Sequence, residues 1–193
     1  MRVAPEPRLL ILCPLDREWS LLARTFEASL HVERLHDLKI EAAHIPGWRV
    51  LVAPGGHGKT QFAVQAQYVI SQFSAVELLI CAGAAGSLVP ELSVGDVVVG
   101  TETVEHDYRQ LFATRRAQAV RDQTGAACVA WEGSGAARAA LFNGIGSLDI
   151  RAVTDAADKE APQRFDANLP IAMANLASLL RVWLGVRPKP FAY

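Results

Sequence analysis

Three acidic residues occupy positions at which a carboxylate could do chemistry. Glu18 lies in the turn and first helix after the apolar segment 8–13, Glu132 directly follows the segment CVAW, and Asp155 follows IRAVT. Each of them could serve only as a helix N-cap, because a carboxylate at that position accepts hydrogen bonds from free backbone N–H groups. Three carboxylates at one edge of a sheet would instead suit glycosidic-bond cleavage, in which one acid protonates the leaving group and another activates water.

A glycine-rich segment, APGGHGKT at 53–60, lies between an apolar run and a helical pattern. Gly58-Lys59-Thr60 resembles the end of a P-loop, but that motif requires a glycine where Ala53 stands. A second acidic strand that would hold magnesium is also not evident. The segment therefore indicates a strand-to-helix turn in which the backbone closely approaches another group, and it disfavours a nucleoside triphosphatase.

The residues that could bind a metal are scattered. His106-Asp107 has no partner His or Cys at ligand spacing, so a loop or subunit-contact role is the better interpretation. Cys13, Cys81 and Cys128 lie far apart in apolar runs, which is typical of buried thiols in a reducing compartment. We therefore expect neither a metal nor an organic cofactor.

The overall charge is nearly balanced. The 193 residues include 19 basic and 20 acidic side chains, for a formal net charge of −1. This balance gives no electrostatic reason to expect nucleic acid or an anionic membrane as a partner. The opening residues MRVAPEPR lack the apolar segment of a signal peptide, and no apolar stretch approaches membrane-spanning length. We expect a cytoplasmic protein that acts on a small molecule.

The elements that must position these residues form an alternating pattern of apolar runs and helical segments. Apolar strands without polar alternation are typical of a sheet covered on both faces, so we predict an α/β protein, a three-layer α/β/α sandwich with a central mixed sheet, as a single domain over 1–193. In such sheets ligands bind beyond the carboxyl ends of the strands. Strands are predicted at 8–13, 39–45, 48–53, 77–82, 95–100, 128–131 and 148–153, with a turn at 83–87. Helices are predicted from Asp16 onward and at 60–73, 113–124, 132–142 and 165–184.

One long segment, VAWEGSGAARAALFNGIGSLDIRAVTDAAD at 129–158, resembles the signature region of the nucleoside phosphorylase family. The similarity is to the branch that hydrolyses 5′-methylthioadenosine and S-adenosylhomocysteine. PLDREWSLL (14–22), GGHGK (55–59), CAGAAGSLVPELSVGDVVV (81–99) and EHD (105–107) resemble further family segments, in the family's order. Together these segments cover most of the chain.

The resemblance implies a role for each of the three carboxylates. Asp155 matches the acid that protonates N7 of adenine and so makes the base a better leaving group. Glu132 matches the carboxylate that grips the ribose hydroxyls and helps to stabilise the oxocarbenium-like transition state. Glu18 matches the base that activates the attacking water. The implied ligand is a purine nucleoside.

The resemblance also implies substrate-binding positions around these acids. Thr154 stands where a hydroxyl orients the acid. Trp131 stands where the family places an apolar side chain against the sugar, although a core tryptophan is an almost equally good interpretation. The implied ribose-side loop includes Gly83, Ala84 and Ala85.

The chain departs from the family pattern at several points. Ala84 replaces a common serine, and no arginine is evidently placed for phosphate, although Arg17 beside Glu18 could be near. Both features favour hydrolysis over phosphorolysis. Ala130 replaces an acid, and the segment at the 112/113 junction is shorter than in the family by several tens of residues that would cover the adenine.

These departures keep two alternatives open. One is a purine nucleoside phosphorylase, in which phosphate is the nucleophile. The other is a degenerate relative that binds a nucleoside without cleaving it. For either activity the resemblance implies a homodimer, with the Gly-rich turn and the helix after it as the candidate contact surface.

Overall fold

The computed structural model describes residues 6–26, 31–35, 40–45, 47–106 and 117–186. Strands and helices alternate through these residues, as predicted. The strands are β1 (Leu9–Cys13), β2 (His31–Leu35), β3 (Ile40–Ile45), β4 (Val50–Pro54), β5 (Leu78–Ser87), β6 (Val97–Gly100), β7 (Cys128–Val129) and β8 (Gly146–Asp155). The helices are α1 (Asp16–Thr25), α2 (Lys59–Ser71), α3 (Ala117–Thr124), α4 (Gly133–Phe142) and α5 (Ala161–Val186).

The strands of the described residues form one mixed sheet with the order β2-β3-β4-β1-β5-β8-β6, and β7 pairs with β5. The central strands β4, β1, β5 and β8 are parallel neighbours. The outer strands are antiparallel, since β3 pairs with β2 and β4, and β6 pairs with β8. The predicted mixed sheet is confirmed, and the four parallel strands point their carboxyl ends to one edge.

Both faces of the sheet are covered by helices. Leu9 and Ile11 of β1 belong to one core cluster with Leu22 of α1 and Met173 of α5. The alternate residues Leu10 and Leu12 belong to a second cluster with apolar side chains of α2 and α4. Because successive strand residues point to opposite faces, a strand buried on both sides is apolar throughout. The three-layer α/β/α architecture is thus confirmed.

Two strands are longer than predicted, and both extensions reach the carboxyl edge. The predicted turn at 83–87 is wrong, because these residues continue β5, with positions 82–86 paired to β8. Strand β8 likewise runs on to Asp155 instead of ending at Val153. Gly83 and Gly86 suit a strand here because neighbouring groups approach them too closely for larger side chains.

The last helix, α5, begins earlier than predicted and is the longest of the described helices. By length and composition the helix Ala161–Gly185 could cross a membrane, since it contains an 18-residue window with a mean hydropathy of 1.2, so the expectation that no stretch approaches that length is wrong. Apolar side chains at helical spacing nevertheless pack one side of α5 onto the sheet. They are Leu169, Met173, Leu176, Leu180 and Leu184.

Candidate active site

Glu18 lies in the first turn of α1, and its side chain is buried. The helix begins at Asp16, as predicted, and Asp16 itself is exposed. The Glu18 carboxylate accepts hydrogen bonds from the N–H groups of Ala84 (2.7 Å) and Leu15 (2.9 Å). Burial raises the pKa of the Glu18 carboxyl, and these two N–H groups and Arg151 oppose the rise without cancelling it. The raised pKa makes Glu18 a stronger base than an exposed glutamate.

Gly83 on β5 makes the close approach of Glu18 possible. A Cβ at this position would lie 2.8 Å from Oε1 of Glu18 and 3.0 Å from Cδ of Pro14. The first distance is too short for a real Cβ and the second is tighter than most, so any residue larger than glycine would push Glu18 away from Ala84. Gly83 thus has a steric role at the base, and its neighbour Ala84 supplies the hydrogen bond.

Glu132 is the residue just before α4 and is also buried. Its Oε1 accepts a hydrogen bond from the N–H of Gly58 (3.0 Å), the last residue before α2. Its Oε2 accepts one from Nη1 of Arg151 (3.3 Å). The glycine-rich turn at 53–60 therefore holds a carboxylate, which fits the predicted close approach of its backbone.

Arg151 on β8 is the functional residue that sequence reasoning missed. Only 3% of it is exposed, and it contacts Asp149, Glu132, the carbonyl oxygen of Ala84 and the thiol of Cys81. Burial by itself lowers the pKa of a guanidinium, but the acidic groups Cys81, Asp149 and Glu132 outweigh that effect and raise the pKa. The signal in the sequence was an arginine inside the otherwise apolar run IRAVT.

Asp155 ends β8, and 8% of it is exposed. Its Oδ2 accepts a hydrogen bond from the hydroxyl of Thr154 (2.7 Å), and its Oδ1 accepts one from the N–H of Ala157 (2.9 Å). Ala157 has a φ of 50°, in the left-handed region that alanine seldom adopts, and this conformation belongs to the loop that holds Asp155. A Cβ on Gly86 would lie 2.8 Å from both Oδ1 of Asp155 and Cβ of Ala157.

Trp131 is not a core residue, because 66% of it is exposed. Its ring stacks on His57, with 4.9 Å between the ring centroids and 14° between the planes. His57 is followed by Gly58 and Trp131 by Glu132, and these two following residues are hydrogen-bonded to each other. The aromatic pair therefore lies beside Glu132, at the rim of the carboxylate cluster.

Several other predicted positions lie elsewhere. Arg17 points outward and forms an ion pair with Asp166 (2.5 Å), so it is not placed to bind phosphate near Glu18. Lys59 of the P-loop-like segment pairs with Glu105 (2.9 Å). No group of three or more His, Cys, Asp or Glu residues that could hold a metal occurs among the described residues. Asp107 and the 112/113 junction lie outside the described residues.

Two of the carboxylates, those of Glu18 and Glu132, are connected through Ala84 of β5, and Asp155 lies against Gly86 of the same strand. The N–H of Ala84 binds Glu18, and its carbonyl oxygen binds Arg151, which in turn binds Glu132. The hydroxyl of Thr154, which donates its hydrogen bond to Asp155, lies 3.4 Å from the carbonyl oxygen of Ala85. Two buried acids and one slightly exposed acid thus meet at the carboxyl edge of the parallel strands, an arrangement suited to acid–base cleavage of a glycosidic bond.

Comparison with curated proteins finds relatives in several bacteria, and these relatives share one name with each other. The 5′-methylthioadenosine/S-adenosylhomocysteine nucleosidase of Mycobacterium tuberculosis is 26% identical over 105 residues, which are 54% of this chain and 40% of that protein. The nucleosidase of Marinomonas sp. is 43% identical over 61 residues, 32% of this chain and 26% of that protein. The chain thus spans about 40% or less of the length of these curated relatives.

Comparison with solved structures supports the fold. A mutant of the Helicobacter pylori nucleosidase with 5′-methylthioadenosine in its active site has a TM-score of 0.81 at 18% identity, covering 94% of this chain and 99% of that one. The futalosine hydrolase of the same organism has a TM-score of 0.80 at 19% identity, covering 93% and 97%. At these identities the likeness shows that the fold is shared.

The family itself is shown by the sequence. A profile of the Phosphorylase superfamily matches residues 8–116, more than half of the chain. The matched part contains Glu18, the glycine-rich turn and the whole of β5. With the shared fold and the carboxylates at its edge, this match shows that the chain belongs to the phosphorylase superfamily.

Proposed function

We propose that this protein is a purine nucleosidase that hydrolyses the N-glycosidic bond of nucleosides of the 5′-methylthioadenosine and S-adenosylhomocysteine type. The observation that carries the proposal is the convergence of three carboxylates on the end of β5, with Glu18 on Ala84, Glu132 linked to Ala84 through Arg151, and Asp155 against Gly86. The names of the curated relatives support this choice of substrate.

In the proposed reaction Asp155 donates its proton to N7 of adenine, and the electrons of the C1′–N9 bond pass to the base. The sugar becomes oxocarbenium-like, and the negative charge of Glu132 at its hydroxyls stabilises it. Glu18 takes a proton from water, whose oxygen forms the new bond to C1′. The products are adenine and the free sugar.

The substrate-binding roles follow from the same placement. Thr154 orients Asp155 through its hydroxyl, and Trp131 covers the sugar beside Glu132, with His57 behind its ring. Gly83, Ala84 and Ala85 form the floor of the ribose site. We also propose a single domain over 1–193, a cytoplasmic location and a homodimer, and no cofactor is needed for these steps.

Hydrolysis is favoured over phosphorolysis by the charge of the site. The guanidinium of Arg151 is surrounded by the carboxylates of Glu132, Asp149 and Glu18. Glu132 and Asp149 contact it, and Glu18 interacts with it electrostatically. A site with this excess of negative charge repels a phosphate dianion and accepts neutral water. Ala84 also lacks a hydroxyl that could bind phosphate.

The test is to incubate the purified protein with 5′-methylthioadenosine and to measure the adenine released. S-adenosylhomocysteine and adenosine are further substrates. Asp155→Asn should abolish release, because the amide has no carboxylic proton to give. Asp158→Asn is the matched control, since Asp158 also accepts a hydrogen bond from the N–H two residues ahead but is exposed. Folded protein that releases no adenine from any of the three substrates would refute the proposed activity.

A further inference from the structure

The strongest contact of the buried Arg151 is not with a residue of the proposed catalytic set. Its Nε lies 2.6 Å from Oδ1 of Asp149, whereas its Nη1 lies 3.3 Å from both Oε2 of Glu132 and the carbonyl oxygen of Ala84. Nη2 contacts the thiol of Cys81 at 2.9 Å. The guanidinium is therefore held mainly by Asp149 and only weakly by Glu132.

We infer that Asp149 is a positioning residue, which holds Arg151 so that Glu132 remains available for the ribose hydroxyls. This inference rests on the proposed nucleosidase function. A buried guanidinium requires a closely placed anion, and a carboxylate that serves it normally forms short, charge-assisted hydrogen bonds. Asp149 meets this requirement, so Glu132 can keep one oxygen on Gly58 and a long contact on Arg151.

The surroundings of Asp149 fit this role. Asp149 and Arg151 are two residues apart in the regular part of β8, so they lie on one face of the strand; its register against β5 shifts only beyond Val153. The side chain of Asp149 is 18% exposed. A Cβ on Gly133 would clash with Oδ2 of Asp149, so this carboxylate lies against the first residue of α4. The positive end of the helix dipole favours a negative charge there.

Without the charge of Asp149, the full positive charge of Arg151 would act on Glu132. We expect Glu132 to move into a tighter ion pair with Arg151 and to lose its grip on the sugar. Asp149→Asn removes the charge and keeps the size of the side chain. It should lower kcat/KM for 5′-methylthioadenosine by about tenfold or more, the effect of one hydrogen bond to a charged group.

The decisive readout is a second substrate, the 2′-deoxy analogue of 5′-methylthioadenosine. In the native enzyme, kcat/KM for 5′-methylthioadenosine divided by kcat/KM for its 2′-deoxy analogue measures the contribution of the contact between Glu132 and the 2′-hydroxyl. Asp149→Asn should reduce this ratio, because the hydroxyl no longer meets a well-placed carboxylate. The matched control is Glu77→Gln, which alters another arginine–carboxylate pair, with Arg8, at the opposite edge of the sheet and should leave the ratio unchanged.

A second variant separates positioning from folding. Asp149→Ala should lose activity on the ribonucleoside and regain part of it with formate, whereas the neutral formamide should have no effect. An unchanged ratio in Asp149→Asn, or an absence of formate rescue, would overturn the inference. If neither variant folds, Asp149 serves the fold and the inference also fails. If the native protein cleaves neither substrate, the proposed function fails first and the inference falls with it.

Discussion

At the scale of the residue, the environment of Glu18 determines how the protein should respond to pH. Burial raises the pKa of this carboxyl above its usual value of 4.5, and hydrogen bonds from Ala84 and Leu15 only partly offset the rise. A base must be ionised to act. Activity should therefore fall as the pH drops through the raised pKa, at a higher pH than an exposed glutamate would give.

The first prediction concerns the acidic limb of the pH–rate profile, the range in which activity falls as the pH drops. On its acidic side, the kcat/KM for adenine release should rise with pH through the raised pKa of Glu18. Glu18→Gln should lower kcat by about 100-fold or more, the usual loss of a general base. Glu160→Gln, at an exposed carboxylate that pairs with Arg164, should leave the profile unchanged. An acidic limb at or below pH 4.5 in the native protein would contradict the role given to Glu18.

The same interval of pH affects stability with the opposite sign. Between the pKa of the unfolded chain and the raised pKa of the folded one, the folded state binds more protons at Glu18. The contribution of this residue to stability is therefore lost as the pH rises through that interval. Glu18 thus favours catalysis and disfavours stability at neutral pH.

Residue types and order in the sequence were enough to identify the three acids as candidates, but not their partners. Arg151 was missed because a lone arginine in a strand gives no sign of what it will contact, and its partner Glu132 is 19 residues away. Arg17, which adjoins Glu18 in sequence, was considered for phosphate and in fact pairs with Asp166. Adjacency along a helix does not place two side chains on one face.

At the scale of the element, β5 combines two tasks that the sequence analysis separated. Its first half, through Ala82, is apolar core, and its second half, 83–87, is the floor of the site. Glycine and alanine at 83–86 suggested a turn because glycine favours turns. The two glycines occur in this strand because Glu18 approaches Gly83, and Asp155 and Ala157 approach Gly86, too closely for larger side chains. Such tertiary crowding cannot be deduced from local propensity.

A second prediction follows for this strand. Gly86→Ala should reduce kcat at least tenfold and destabilise the protein by about 1–3 kcal/mol, because its Cβ would press on Asp155 and Ala157. Adenine release and thermal unfolding measure the two effects. Gly185→Ala in α5 is the control, since a Cβ there meets nothing within 4 Å and should be neutral or slightly stabilising. Full activity in Gly86→Ala would show that Asp155 does not depend on this contact.

At the scale of the whole molecule, the three-layer arrangement and the mixed sheet were predictable because the strands are apolar on both faces, and buried parallel strands have that pattern. The strand order was not predictable, since β8 inserts between β5 and β6 although it comes last in the chain. The shared edge of the parallel strands turns acids that are more than a hundred residues apart into one site.

The charge of that site gives a third prediction. The rate of adenine release should not depend on inorganic phosphate, and the sugar product should be the free sugar and not a sugar phosphate. Assays with and without phosphate at constant ionic strength, with identification of the product, test this. A rate that requires phosphate would instead support the phosphorylase alternative.

The anchoring of Glu18 and Arg151 to the main chain of Ala84 has a consequence for how such a protein can change. Every amino acid except proline offers the same N–H and carbonyl groups, so these two contacts do not depend on which small side chain stands there. Substitution there can alter what reaches the sugar without dismantling the acid–base framework. The placement of Glu18 and Arg151 is thus separate from the choice of side chain at this position of the strand.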